Sequence, residues 1–484
     1  MVPFLNKHKS TYGLGLLFFF VNLSSCRIIH TPQKTPVVTL PVSFMGSTDS
    51  TTIGSLTRQT LFTDQNLVRL IDTALVQNPD LRMALQRIDM ARATFQISQG
   101  ALLPTVNAVA AAGFDRYGRY TLNGVGNYDT NLSENIAGKS RIPNPTPDYF
   151  LGLCSSWELD VWGKLRNRRR AAYTRVLSSQ EGRNLIVTAL TGEVSRLYYT
   201  LLALDSEVDI IRENVVLQQR AVELVLVQKA AGRVTELAVQ QFTAQLLNTR
   251  SLEGRVRQEI AESENQLNAL LGRYPQPIAR GQSIEDQKIP ASILAGLPAQ
   301  LVRRRPDIRQ AEHELEAANI DVAVAQAEFL PSLTLTPYVG VNAFRAASLF
   351  DPASIAVGIV GGLTAPVFNR RLLKGNYTVS VARSQEAYYA YQKTILTGVS
   401  EVVSSLKGLD NYQNVADIQQ QEVAVLRQAA TTSNELFVNG YATYLEVITA
   451  QRSVLDAELA LIETKRLQFL SLVGLYRALG GGWE

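Results

Sequence analysis

Apolar positions along the chain follow three rhythms. Near the N-terminus an apolar run, Tyr12 to Leu23, follows the basic residues Lys7, His8 and Lys9. It is too short to span a bilayer, which takes about 20 apolar residues, and it has the form of an export signal. In later stretches apolar residues alternate with small or polar ones. Tyr149, Leu151, Leu153, Trp157 and Leu159 form one set, and Leu333, Leu335, Val339, Val341 and Ala343 a second. Ile355, Val357, Ile359, Leu363, Ala365 and Val367 form a third. A period of two predicts strands with one apolar face. Residues 352–369 carry no charge and could imitate a membrane-crossing helix, but their alternation, their glycines and Pro366 favour strand.

Elsewhere the rhythm is helical. Residues 166–231 contain no proline, and neither do residues 375–439. In the last segment Leu445, Ile448, Leu455, Leu459, Ile462, Phe469, Val473 and Tyr476 fall on a spacing of three and four. A second stripe, Ala450, Val454, Ala457 and Leu461, lies beside it. Two stripes imply neighbours on both sides of the helix. Each long run is expected to fold back once, near Asp205–Asp209 and near Asp410–Asp417. Arms of about 40 residues would then be about 60 Å long.

The order of these elements occurs twice. Asn78-Pro79-Asp80-Leu81-Arg82 recurs as Arg305-Pro306-Asp307-Ile308-Arg309. Leu103-Pro104 and Leu330-Pro331 follow at one common offset. Asp160-Val161-Trp162-Gly163 matches Pro366-Val367-Phe368-Asn369, and Ala231-Gly232 matches Asn439-Gly440. Ala269-Leu270-Leu271-Gly272 matches Arg477-Ala478-Leu479-Gly480. The expected organisation is a signal over 1–25, an extended leader over 26–63, and a first repeat over 64–272. A linker over 273–296, a second repeat over 297–480 and a tail over 481–484 complete it. Within each repeat a helix leads into a hairpin (about 105–160 and 332–368), and long helices follow. The first repeat has extra residues around Asn123 to Asp148, rich in Gly, Asn and Pro, which read as a loop.

Composition narrows the function. Hydrophobic residues are 46% of the 484, charged residues 19%, and the net charge is +4. Near-balanced charge removes the simplest support for nucleic-acid binding. Three His, two Cys and four Met leave little material for a transition-metal site, and two Cys cannot staple so long a chain. No cofactor is expected beyond a covalent lipid. Leu23-Ser24-Ser25-Cys26 resembles a lipobox, in which cleavage before Cys26 lets its thiol and new amine carry acyl chains.

Four strands cannot close a barrel, and only closed barrels or helices span a bilayer. The chain is therefore expected to share a barrel with copies of itself. Several motifs make a resemblance specific. These are Leu103-Pro104, Leu330-Pro331, Trp157-Glu158-Leu159-Asp160-Val161-Trp162-Gly163-Lys164 and Arg304-Arg305-Pro306-Asp307-Ile308. Gly440-Tyr441-Ala442-Thr443-Tyr444-Leu445-Glu446-Val447 with Ala450-Gln451-Arg452, and the closing Leu475 to Trp483, complete the set. Over residues 26–484 the chain resembles the TolC-like and OprM-like outer-membrane efflux factors, in their NodT-type lipoprotein branch. The resemblance implies an α+β membrane protein: a homotrimer with a twelve-stranded β-barrel, four strands per chain, continuous with a periplasmic α-helical barrel. It implies a passive duct in the bacterial outer membrane, docking a periplasmic adaptor and an inner-membrane pump, usually of the resistance-nodulation-division type. Small-molecule export is the first reading; type I protein secretion and heavy-metal efflux are the alternatives.

Candidate residues divide by location. Asp205, Glu207 and Asp209, and Asp410 and Asp417, bracket the two expected helix tips. Three copies of one Asp at a narrow entrance would select cations; the alternative is solvated helix charge. Lys164, Arg166, Arg168, Arg169 and Arg170 follow the first hairpin, and Arg370, Arg371 and Lys374 the second. They read as a permeant-biasing ring or as side chains snorkelling at the membrane boundary. His313 has no second ligand at helical spacing, Cys154 lies in a predicted strand, and no nucleophile or phosphate-loop motif occurs. No catalytic residue is expected.

Overall fold

A computed structural model describes residues 40–44, 51–136, 138–290 and 295–483. The signal segment and Cys26 lie outside the described residues. Two compact units emerge, a sheet unit and a helical unit.

The sheet unit holds four antiparallel strands in the order of the sequence: β1 (Thr105–Asp115), β2 (Thr146–Leu159), β3 (Ser332–Ala343) and β4 (Ile355–Thr364). Pairing is in register, with Asn107 opposite Cys154, Cys154 opposite Tyr338, and Tyr338 opposite Gly358. Proline ends the helix before each hairpin, and two tryptophans fix the helix-to-strand corners. Trp157 Nε1 donates to Leu102 O (3.0 Å) and Trp162 Nε1 to Pro331 O (2.6 Å). The alternation expected to run through Ala365 and Val367 stops at Thr364, because Pro366 has no amide for the ladder.

The α-helices are α1 (Arg58–Leu61), α2 (Gln65–Gln77), α3 (Pro79–Gly100), α4 (Leu122–Leu132) and α5 (Lys164–Ala230). Then come α6 (Glu236–Leu270), α7 (Pro298–Arg304), α8 (Pro306–Ala327), α9 (Arg370–Val438) and α10 (Tyr444–Ala478). Matching helices have 22 and 22 residues (α3, α8), 67 and 69 (α5, α9), and 35 and 35 (α6, α10). The fold-back expected near Asp205–Asp209 and Asp410–Asp417 does not occur there. α5 and α9 run straight through both sites, each about 100 Å long at 1.5 Å per residue. Charged side chains on an exposed face do not break a helix; a residue with positive φ does. The reversals sit at Gly232 (φ +69°) and Gly440 (φ +81°). The extra segment read as loop contains a helix, α4, capped by the Thr121 hydroxyl on the Gly124 amide (3.1 Å).

All four of α5, α6, α9 and α10 end the same way. At Gly232, Gly272, Gly440 and Gly480 the glycine amide and the next amide return to carbonyls of the last helical turn. This is the Schellman arrangement, and it requires a left-handed residue. At Gly272 the surroundings add a second demand: a Cβ there would lie 2.6 Å from the Gln77 carbonyl oxygen. A Cβ at Gly480 would lie 2.8 Å from the Arg304 carbonyl oxygen, at the same junction in the second repeat.

One polar side chain locks each junction. Buried Asn78 accepts from the Leu81 amide (3.0 Å), capping α3, and donates to Leu270 O (2.9 Å) at the end of α6. In the second repeat Arg305 takes that position and donates to Ala478 O (2.9 Å). Its guanidinium also grips Asp307 (2.6 Å) and Glu401 (2.8 Å). Around these junctions lies the main core, with Leu67, Ile71, Tyr198, Leu201, Leu267, Leu271, Ile308, Phe469 and Tyr476. Tyr199 stacks on Phe469 at 4.6 Å. The leader contributes Phe44, Ile53 and Phe62 to the same core.

The glycines give a graded prediction. Gly232→Ala meets only the left-handed penalty of about 1–2 kcal/mol, since nothing lies within 4 Å of its added Cβ. Gly272→Ala and Gly480→Ala add a backbone collision. Thermal unfolding followed by circular dichroism should show a larger drop in Tm for the latter pair; equal drops would contradict the junction geometry.

Candidate functional site

The sheet register sorts the strand residues into two faces. One carries Val106, Leu151, Leu153, Leu335, Val339, Val341, Val357 and Ile359, with Ile355 and Leu363 at the ends. Ile355, Val357, Ile359 and Leu363 are exposed on it. The other carries Asn107, Asp148, Ser156, Glu158, Thr334, Thr336 and Asn342 among small residues, with Val109, Phe150, Tyr338 and Val360. Glycines on the polar face lie under aromatic rings. A Cβ at Gly358 would meet the Tyr338 ring at 2.4–2.7 Å, and one at Gly152 would meet Phe150 at 2.9 Å. The rings fill space that the glycines leave, the usual repair for glycine in a sheet. Among the described residues β1 and β4 pair on one side only, so two rows of backbone groups stay open. Cys154 lies on the polar face opposite Tyr338.

The first basic cluster is largely neutralised. Lys164 pairs with Glu158, Arg166 with Asp160 (3.1 Å), Arg168 with Glu328 (3.3 Å) and Arg170 with Glu316 (3.2 Å). Asp160 also accepts from the Leu165 and Arg166 amides (3.0 and 2.8 Å), so it caps α5. Burial alone would raise its pKa. The two amides and the Arg166 guanidinium outweigh burial and hold it below the usual value. These cations therefore tie α5 to β2 and α8 more than they form a bare positive ring. Arg370 and Arg371 open α9. The side chains of Arg371 and Lys374 are exposed, with no acidic partner among the described residues.

The acidic candidates sit within α5 and α9, well inside the helix ends. Asp205 pairs with Arg280 (2.7 Å), and Asp209 lies 3.6 Å from Arg212. Burial raises the Asp205 pKa, against the pull of Arg280. Asp410 is exposed, and Asp417 accepts from Gln413 (2.9 Å) one turn away. Glu207 stands apart. Burial, and then the charges of Glu259 and Glu463, push it up to about 7, with Arg466 opposing. The sequence carried no signal for this, because Glu259 and Glu463 are brought close only by packing.

The true helix turns carry different residues. In the last turn of α5, Lys229 pairs with Glu236 of α6 across Gly232. Beyond α9, the Glu446 carboxylate reaches back to the start of α10 and accepts from the Thr443 amide and from its hydroxyl (3.0 Å). Val222, Val225, Phe242, Leu246, Phe437 and Val447 join the four long helices just inside these turns. Tyr441 is 82% exposed, an apolar ring left uncovered at the turn itself. His313 lies on α8, and no group of three or more candidate metal ligands occurs among the described residues. No described helix is long and apolar enough to cross a membrane, so the exposed apolar sheet face is the candidate bilayer contact.

A sheet with one greasy face, two open edges and four very long helices defines a subunit of a membrane conduit. The family comparison gives that class its name: residues 70–273 and 297–481 match the outer membrane efflux protein family, and the chain belongs to it. Outer membrane protein OprJ of Pseudomonas aeruginosa is 30% identical over 488 residues, covering 98% of this chain and 97% of OprJ. Cation efflux system protein CusC of Escherichia coli is 29% identical over 430 residues, 88% of each. A crystal structure of a membrane protein from Pseudomonas aeruginosa superposes with TM-score 0.80 at 28% identity. It covers 94% of this chain and all of the other. Further relatives are named for toluene efflux and pyoverdine export, and SilC of Salmonella typhimurium carries the name of an outer membrane lipoprotein.

Glu207 gives a pH prediction. Its folded pKa of about 7 lies above the ordinary 4.5, so the folded state binds the extra proton. Its contribution to stability is then most favourable below about 4.5 and is lost as pH rises through about 7. Glu207→Gln should flatten the change in Tm between pH 5 and 7.5. An unchanged slope would show that this carboxyl titrates normally.

Proposed function

We propose that this chain forms, as a homotrimer, the outer-membrane duct of a tripartite efflux pump. The observation that carries the reading is the sheet: four strands, one exposed apolar face, and open edges at β1 and β4. In a bilayer each unpaired backbone group costs several kcal/mol, so the edges must find strands of other copies. Three chains supply twelve strands, enough for a barrel with a water-filled interior. The polar sheet face, with Asn107, Thr334, Thr336 and Asn342, then lines the lumen. Transport through such a duct is passive. The partners of this reading are a periplasmic adaptor and an inner-membrane pump, which supplies the energy.

Small toxic compounds are the proposed cargo, and heavy-metal efflux is the second reading. The named relatives that favour each are the toluene and cation efflux components. Their similar resemblance to this chain supports a duct that leaves cargo choice to the pump. We further propose that Cys26 carries the lipid anchor, on the strength of its lipobox and the lipoprotein name of SilC.

Purified in detergent, the protein should run as a heat-labile trimer and give discrete conductance in planar bilayers. A monomer soluble without detergent after removal of the signal would overturn the duct. Cys26→Ser should abolish incorporation of labelled palmitate while the strands still hold the chain in the membrane. Persisting label would place the lipid elsewhere.

A further inference from the structure

α4 turns two asparagines inward and most of its large apolar side chains outward. Asn127 and Asn131 are tied to their own chain, while Asn123, Asp129 and Thr130 are exposed. Asn131 Nδ2 donates to Ile142 O (2.8 Å), and the Ile142 amide donates back to Asn131 Oδ1 (2.9 Å). Asn127 Nδ2 donates to Thr146 Oγ1 (3.3 Å) at the start of β2. Leu122, Val125, Tyr128 and Leu132 share an arc of about 120° at 100° per residue, with the exposed Asp129 on its Leu122 side. Their exposures are 89, 56, 71 and 66%. A surface helix in water would turn this arc inward. Here the hydrogen bonds of Asn127 and Asn131 hold it outward, so it is built to be covered.

The topology says by what. α4 lies in the connection that leaves β1, and β1 is an open edge. Strand neighbours in this sheet are all antiparallel. Continuing that pattern around a ring pairs β1 with β4 of the next copy. The segment leaving β1 then lies beside the segment that enters the neighbour's β4, the turn 344–354. That turn is apolar, with Ala346, Ala347, Leu349 and Phe350, and Phe350 is 78% exposed. The chain's own turn is engaged elsewhere: Arg345 donates to Arg141 O (3.0 Å), on the limb of the connection beyond α4.

We propose that the apolar arc of α4 packs on the 344–354 turn of a second copy, seating Phe350 between Leu122 and Tyr128. It acts as a clasp between subunits outside the strand ladder. This rests on the trimer reading above.

The test uses the full-length protein in isolated outer membranes, with Cys154→Ser as background. Val125→Cys and Phe350→Cys are introduced together and oxidised with copper phenanthroline. The expected result is covalent dimers and trimers on non-reducing gels, absent from either single variant. If the pair disturbs assembly, a benzoylphenylalanine at Tyr128 keeps an aromatic there and should photolabel the 344–354 peptide of a differently tagged copy. Trimers on native gels without either cross-link would overturn the clasp alone. So would quenching of a fluorophore on Val125→Cys by nitroxide acyl chains, which would assign the arc to lipid. A monomer on native gels would sink the trimer reading itself, together with the clasp.

Discussion

The whole architecture answers one constraint: a backbone amide or carbonyl in hydrocarbon must have a partner. Within one chain the ladder of β1 to β4 satisfies the inner strands and leaves both outer edges open. The chain is therefore an unfinished object, and its strand composition makes sense only in the finished one. The apolar face tolerates lipid, and the polar face tolerates water in a lumen. Aromatic rings over Gly152 and Gly358 fill the space that those glycines leave in the ladder. The ion pairs below β2 fit the same logic, since cations paired with Glu158, Asp160 and Glu328 anchor helix ends while adding little net charge to a passage.

Duplication supplied two copies of each junction, and the copies have diverged at a single informative place. Asn78 is neutral, small and fully enclosed, and it satisfies one cap and one carbonyl. Arg305 does the same work on Ala478 but brings a charge into a buried site, so it needs Asp307 and Glu401. A buried guanidinium without such partners would be strongly destabilising. The second junction is thus a small ionic network where the first is a pair of neutral hydrogen bonds. Arg477, which contacts Glu401 at 3.3 Å, extends it.

What the sequence revealed was set by short-range physics. Strand faces follow from period two, and every odd-numbered apolar residue picked out in 149–159, 333–343 and 355–363 lies on one face. Pro104 and Pro331, both just outside helices, marked the helix-to-strand corners. The long helices were legible as proline-free runs, but their reversals were not placed correctly. Clusters of Asp look like a solvated turn, yet at Asp205 and Asp209 they are helix surface paired with Arg280 and Arg212. The Gly232 and Gly440 landmarks held the answer, since only they supply a left-handed residue. α4 was missed because Gly124, Gly126 and three Asn argue against helix by propensity, and its support comes from the Thr121 cap and the Asn131 tether. Glu207 could not be found from its neighbours in sequence, because its neighbours in space lie on α6 and α10.

The two longest helices differ by two residues, 67 against 69. Both start just after the hairpin and both end on the same glycine turn. Two residues are about 3 Å of rise and a little over half a revolution. Counted from their hairpin ends, the glycine turns that close α5 and α9 therefore leave their helices about 200° apart. Pseudo-sixfold symmetry, which tandem repeats in a trimer would otherwise create, is broken toward the glycine turns. The two repeats thus present two kinds of glycine turn rather than two copies of one.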